Sequence, residues 1–318
     1  MSLNFFKDHY ILHIIYIFVG LGVFLSGIKL MSSSFESIVN TKIKYKINKF
    51  TSSKFLGIVV GTVLTGLLQS SSATTLIVIT LVHSGILNIY NAVPIIMGAN
   101  IGTTLTGQLI AFNFTSNTHL FIAIGLISYC ILRKTRYRII SKVLISLSLI
   151  FLGIDVIKIA VSSFQATTRF TFLIHMVGNN NFLAIFLGFI ITAIIQSSST
   201  GIAMLQILAS SNLIDVHTSL YILLGQNIGT CVTILLGSIA TNRIGKQTAI
   251  IHIMFNIFGV LIFYFLIDQL YYLVIQLSPD FPSRQIANAH TIFNISNTII
   301  LLPFSNLLVK ISRKIISD

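Results

Sequence analysis

Gln69, Ser70, Ser71 and Ser72 form a run of neutral polar side chains inside otherwise apolar sequence. The run returns 127 residues later as Gln196, Ser197, Ser198 and Ser199. At the same offset Gly98-x-Asn100-Ile101-Gly102-Thr103 returns as Gly225-x-Asn227-Ile228-Gly229-Thr230, Thr106 returns as Thr233, and Gly61 and Thr65 return as Gly188 and Thr192. One offset serves every match without a gap, which argues for an internal duplication over chance. Serine hydroxyls and glutamine amides supply donors and acceptors together. Where such a run opens a helix, the free N–H groups and partial positive charge of the helix N-terminus make an anion-binding end. Two such ends brought together would cradle a small oxyanion without a buried arginine. On this reading Gln69, Ser70, Ser71, Ser72, Gln196, Ser197, Ser198, Ser199, Asn100 and Asn227 are candidates for the anion. Hydroxyls and free carbonyls equally suit a hard cation such as Na⁺, which takes oxygen ligands. Thr103, Thr104, Thr106, Thr230 and Thr233, with Ser72 and Ser199, are the cation candidates. A site of neutral oxygens favours co-binding, because anion and cation offset each other's charge. The bland alternative, ordinary small-residue packing between membrane helices, fits a single serine run better than a doubled, register-locked one.

The elements that must position these residues lie in a membrane. The chain is 54% apolar and 8% charged, with mean hydropathy +0.93, against about 25% charged residues in soluble domains. Apolar runs Ile11–Met31, Val143–Val161, Ile250–Ile267 and Thr291–Val309 approach the ~20 residues that span a bilayer as helix. The first has no small-residue cleavage site clearly following it and is expected to be a retained helix rather than a signal peptide. The net charge of +13 sits in short clusters between apolar runs: Lys42, Lys44, Lys46, Lys49 and Lys54; Arg133, Lys134, Arg136, Arg138 and Lys142; Arg243 and Lys246; Lys310, Arg313 and Lys314. That distribution marks cytoplasmic loops and argues against a nucleic-acid surface. Cys130 and Cys231 lie in apolar surroundings and imply neither a disulfide nor a metal site.

The basic clusters predict the path of the chain. A helix over 10–31 enters from outside; 55–87, interrupted by the first serine run, is a re-entrant hairpin; 89–112 crosses outward, broken near Gly98–Gly102; 113–118 is an external turn; and 119–132 returns. In the second half 143–161 crosses outward, 162–181 is an external loop, 182–213 is the second hairpin, 217–240 crosses inward with a break at Gly225–Gly229, and 247–267 crosses outward. Residues 268–286 lie outside and a last helix, 287–309, ends in a basic cytoplasmic tail. The expected fold is thus an all-α polytopic membrane protein: an inverted structural repeat with two re-entrant hairpins and broken helices. The first repeat is 1–142, the second 143–286, and 287–318 is the final helix and tail. Non-helical backbone at membrane depth is tolerated only where it is buried or lines a wet cavity. Inverted repeats with discontinuous helices are the architecture of secondary transporters.

Other polar residues stand inside the apolar runs. Asp155, a carboxylate well inside a predicted span, is a functional candidate, with a local ion pair to Lys158 as the alternative. His252 with Asn256, and His290 with Asn294, share helix faces and could relay protons or make interhelical hydrogen bonds. Lys29 near the inner end of the first helix can snorkel to the interface.

The paired Gln-Ser-Ser-Ser and Gly-x-Asn-Ile-Gly-Thr motifs resemble those of the type II sodium–phosphate cotransporter family. Ala249-x-x-His252-x-x-Phe255-Asn256 and Ala287-x-x-His290-x-x-Phe293-Asn294 resemble a second signature of that family, and the resemblance runs over about residues 18–309. It implies Na⁺-coupled phosphate uptake, with the regions 69–72 and 196–199 forming the substrate and sodium sites. The implied partners are inorganic phosphate, Na⁺ and the lipid bilayer of the cell membrane, with no nucleic acid; no cofactor is expected beyond the coupling ion. A homodimer is compatible with a transporter of this construction. Many bacterial relatives add a cytoplasmic regulatory domain, and this chain, which stops at Asp318, is expected to lack it. The residues alone leave open another oxyanion, or H⁺ in place of Na⁺ through Asp155 or a histidine. An intramembrane serine–histidine enzyme is disfavoured, because a nucleophile needs no duplication and no Gly-x-Ser-x-Gly motif occurs.

Overall fold

The computed structural model describes residues 2–36, 53–112, 118–132, 135–162 and 168–317, and these residues are helical without strands. The basic residues Lys42 to Lys49, Arg133 and Lys134, and the expected external turn apart from Thr118, lie outside the described residues. In chain order the helices are α1 (Ser2–Glu36), α2 (Lys54–Leu68), α3 (Ser71–His83), α4 (Ile89–Ile110), α5 (Thr118–Ile131), α6 (Thr135–Ser162), α7 (Thr168–Gly178), α8 (Asn181–Ile195), α9 (Ser198–Ser210), α10 (Val216–Gly229), α11 (Cys231–Ser238), α12 (Arg243–Phe265), α13 (Ile267–Leu277), α14 (Pro282–Leu301) and α15 (Ser305–Ile315). Among the described residues, five stretches are long and apolar enough to cross a membrane: Leu12–Ser34, Ile89–Ile110, Tyr137–Val161, Val216–Ser238 and Arg243–Phe265. The protein is a multi-pass membrane protein.

Each serine run ends one helix and starts the next. Gln69 closes α2 and Gln196 closes α8, both in the left-handed region with φ 54°, a conformation uncommon for a residue with a Cβ. The next residue, Ser70 or Ser197, is extended and caps the second arm: Ser70 Oγ accepts from Ala73 N at 3.1 Å, and Ser197 Oγ from Thr200 N at 3.3 Å. An N-cap serine satisfies one of the free N–H groups of the helix it opens. The first hairpin is pinned further. Thr65 Oγ1 donates to Thr74 Oγ1 at 2.9 Å across the two arms, and Ser32 of α1 donates to the carbonyl of Leu68, the last residue of α2, at 2.8 Å.

The repeated glycines do not break the helix of the first half. α4 runs without interruption from Ile89 to Ile110 through Gly98 and Gly102, contrary to the break expected there. Close crossing is the reason for these glycines. A Cβ on Gly61 would lie 2.0 Å from Ile95 O, and one on Gly98 would lie 2.0 Å from Ile58 O. The second half repeats the contact: Gly188 against Ile222 O at 2.0 Å and Gly225 against Ile185 O at 1.9 Å. α2 and α4, like α8 and α10, therefore touch backbone to backbone, as small residues permit between membrane helices. The second half is interrupted one residue beyond the glycine pair, at Thr230, whose φ −61° and ψ −25° keep it near helical geometry.

A second difference concerns the C-terminus. The single helix expected over 287–309 is two helices, α14 and α15, meeting at 83°. Pro303 stands in the turn between them; it lacks an N–H and its ring clashes with the preceding turn, so the helix stops. α15 buries Leu308, Val309 and Ser312 while exposing Lys310, Arg313 and Lys314, the pattern of a helix lying along a surface. A helix, α7, also occupies part of 162–181, which was expected to be an external loop, and α13 covers the start of 268–286.

Candidate functional site

Both serine runs open onto one cavity. A space of about 510 Å³ is lined by Gln69 to Ser72, by Gln196 to Ser199, and by Lys29, Ser32 and Ser33 of α1. Chain segments 127 residues apart thus share a single vestibule. Lys29, read from sequence as a snorkelling residue, stands at this vestibule, and Ser32 and Ser33 were not singled out at all. Their sequence signal is a run of three serines, Ser32 to Ser34, near the end of an apolar helix.

Deeper in, a second and much tighter cavity is lined by Ser71, Asn100, Thr103, Ser198, Asn227, Thr230, Gln226, Ile202 and His290. Six of these nine are three equivalent pairs at one offset: Ser71 with Ser198, Asn100 with Asn227, Thr103 with Thr230. The cavity's volume is about 10 Å³, roughly enough for one water. No charged side chain lines it.

Hydrogen bonding sorts this lining by chemistry. Asn100 Nδ2 donates to Ile96 O at 3.0 Å and Asn227 Nδ2 to Leu223 O at 2.8 Å. Each amide has spent a donor on its own helix, and its carbonyl oxygen is an acceptor only. Thr103 Oγ1 donates to Ala99 O at 3.1 Å and Thr230 Oγ1 to Asn227 O at 2.7 Å, so both hydroxyls present lone pairs. Ser71 and Ser198 are the first residues of α3 and α9, at helix ends rich in N–H donors. One face of the cavity is therefore donor-rich and the other is an array of neutral oxygens.

The remaining sequence candidates fall elsewhere. Ser70 and Ser197 act as caps. Thr104 Oγ1 donates to Ile101 O at 2.8 Å and lines neither cavity. Thr106 stands behind the first hairpin tip, bonded to Gln69, and Thr233 lies on α11. Asp155 lies on α6, away from both cavities. His290 reaches the tight cavity, with Asn294 behind it donating to His290 O at 2.9 Å and to Asn227 Oδ1 at 3.5 Å. His252 is buried with both ring nitrogens unpartnered, Asn256 donates to its carbonyl at 3.0 Å, and neither lines the vestibule or the tight cavity. Sequence reasoning treated the two histidines alike and passed over Gln226, which stands where the first half has Ala99.

The sequence profile of the Na⁺/Pi-cotransporter family matches residues 23–159 and 161–278. The chain belongs to the Na⁺/Pi-cotransporter family. It is 31% identical over 301 residues to the "Uncharacterized protein YqeW" of Bacillus subtilis, covering 92% of this chain and 95% of that one. It is 24% identical over 292 residues to the "Putative inorganic phosphate export protein YjbB" of Salmonella typhimurium, covering 92% of this chain and 54% of that protein. The chain thus spans about half the length of that relative. A shorter stretch of 92 residues, 28% of this chain and 14% of the other, is 40% identical to the "Sodium-dependent phosphate transport protein 2A" of Ovis aries. No solved structure matches.

The two halves of this Na⁺/Pi-cotransporter family member differ at one pair of equivalent contacts. In the first, Thr106 Oγ1 donates to Gln69 Oε1 at 2.7 Å, and Gln69 is buried. In the second, Gln196 is exposed and Thr233 Oγ1 is enclosed without a partner. Thr106→Val is expected to leave a buried carbonyl oxygen unsatisfied and destabilise the protein by about 1–3 kcal/mol. Thr233→Val removes a hydroxyl that already lacks a partner and should be close to neutral. Thermal unfolding of both variants in detergent measures the difference, and equal shifts would contradict the asymmetry.

Proposed function

We propose that the chain is a Na⁺-coupled symporter of inorganic phosphate working by alternating access in the cell membrane, with its C-terminus cytoplasmic. Its two halves, 1–142 and 143–286, are opposed across the membrane, with 287–318 following as the final helix and tail. The observation that carries this reading is the convergence of three equivalent residue pairs on one uncharged cavity at the meeting of two helix N-termini. Ser71, Ser198 and the N–H groups beside them bind the phosphate oxygens. Asn100, Asn227, Thr103 and Thr230 offer acceptor oxygens, which suits them to Na⁺ more than to the anion. Gln69, Gln196, Ser72 and Ser199 line the approach. A cavity this tight must widen to admit phosphate.

The test is phosphate uptake into proteoliposomes with and without an inward Na⁺ gradient. The gradient is expected to drive accumulation, and equal uptake in both conditions would refute sodium coupling. Relatives carry the words "phosphate export" in their names, so net outward phosphate movement is the second reading. Reversing the Na⁺ gradient across the same vesicles separates the two: a symporter follows the gradient in both directions.

A further inference from the structure

A third cavity, of about 190 Å³, lies at the far end of the same helices and is lined by Lys158, Arg284, Asp280, Gln206, Ser210 and Ser283 among others. α9 connects it to the site. Ser198 at the start of that helix lines the central cavity and the vestibule, and Ser210 at its end lines this one. The 13 residues of α9 correspond to about 20 Å of helix. The separation between the central and far cavities is thin. A Cβ on Gly107 would lie 3.8 Å from both Gln206 Nε2 and His290 Nδ1. His290 faces the central cavity and Gln206 faces this one, so little more than one layer of side chains divides them.

The chemistry of the lining is that of an anion site. Two cations face one carboxylate, Asp280, and neither cation makes a close ion pair with a described residue. The Asp155 carboxylate, one turn before Lys158 on α6, acts on Lys158 electrostatically from outside the lining and offsets part of its charge, which leaves Arg284 as the principal cation of the cavity. Arg284 is held in place: its Nη1 donates to Gln108 Oε1 at 3.1 Å and its guanidinium lies 4.2 Å from the centre of the Phe112 ring. That leaves most of its five N–H donors for a ligand. Gln206 is 1% exposed; its Nε2 donates to Gly107 O at 3.0 Å, while its Oε1 is buried without a partner. A lone buried acceptor is costly unless something donates to it. A hydrogen phosphate carries a P–OH that can do so, whereas sulfate at neutral pH carries none.

We propose that this cavity is the second mouth of the transport path. It collects phosphate through Lys158 and Arg284, and Gln206 is the bolt that divides it from the central site and favours protonated oxyanions. The proposal rests on the transport reading above but is tested apart from it. In a Cys130→Ser chain carrying Ser210→Cys, the rate of modification by a sulfonate-bearing methanethiosulfonate is compared with that by a trimethylammonium-bearing one. A cationic cleft is expected to favour the anionic reagent by about tenfold. Arg284→Gln and Lys158→Gln should each lower that preference severalfold, and inorganic phosphate should slow the reaction where chloride at equal ionic strength does not. A ratio near one, or one indifferent to both charge removals, overturns the proposal; Ser283→Cys provides an independent reading should Ser210→Cys fold poorly. In vesicles of known orientation, Arg284→Gln should raise KM for phosphate entering from this face and leave kcat unchanged. Absence of wild-type phosphate flux would overturn the symport reading, whereas the reagent ratios decide on this cavity.

Discussion

Ser71→Val and Ser198→Val are each expected to lower Na⁺-driven phosphate uptake by about a hundredfold while leaving the protein folded. Hydrogen bonds to a charged group contribute about 1.5–3 kcal/mol, which alone corresponds to roughly ten- to hundredfold in binding. Valine also places two methyl groups against a cavity with room for about one water, so steric exclusion adds to the lost donor. Neither hydroxyl bonds to a described residue, so folding loses little. Ser70→Val provides the contrast. It removes the cap on α3 and should lower stability by about 1 kcal/mol. Uptake and size-exclusion profiles of the three variants together separate binding from folding. Wild-type uptake by the Ser71 and Ser198 variants would remove the assigned anion site.

Gly98→Ala and Gly225→Ala, with Gly61→Ala and Gly188→Ala at the same crossings, should be the most destabilising glycine-to-alanine substitutions among the described residues. At 2.0 and 1.9 Å from a backbone carbonyl oxygen, the new Cβ has no flexible neighbour to displace, so two helices must part along their crossing. Overpacking typically costs about 1–3 kcal/mol, and a clash with backbone belongs at or above the top of that range. Gly22→Ala serves as the control, because nothing lies within 4 Å of its would-be Cβ and alanine favours helix by up to about 1 kcal/mol. Thermal unfolding or the folded yield in detergent gives the ranking. Near-neutral shifts at Gly98 and Gly225 would mean that the crossing is looser than described.

The hairpins could be read from sequence because their signal is local: a polar tetrad cannot continue an apolar helix without exposing itself to lipid, so the chain must turn at Gln69 and Gln196. The glycines were harder. In a single chain, a glycine that lets backbone bend and a glycine that lets two backbones touch look alike. Only the partner helix distinguishes them, and Ile58 O and Ile185 O are more than thirty residues away from the glycines they face. His252 and His290 share one motif, yet the fold turns one to the cavity and packs the other in the core, a difference that no helical periodicity records. The bend before α15 has a sequence signal in Pro303, which the apolar run Thr291–Val309 masks. Gln206 stands where the first copy has Ile79, and Arg284 lies outside the doubled motifs, so the repeat draws attention to neither.

The unequal contacts behind the two hairpin tips carry a consequence for energetics. One glutamine is latched to its threonine and the other is released, leaving a hydroxyl without a partner. Were the second latch to close as the first opened, one hydrogen bond would replace another of the same kind, and the tally would stand unchanged. Two arrangements related in this way would differ little in energy at this contact. A nearly degenerate pair can be tipped by a modest difference in ligand affinity; a molecule with both latches closed would need far more to move it.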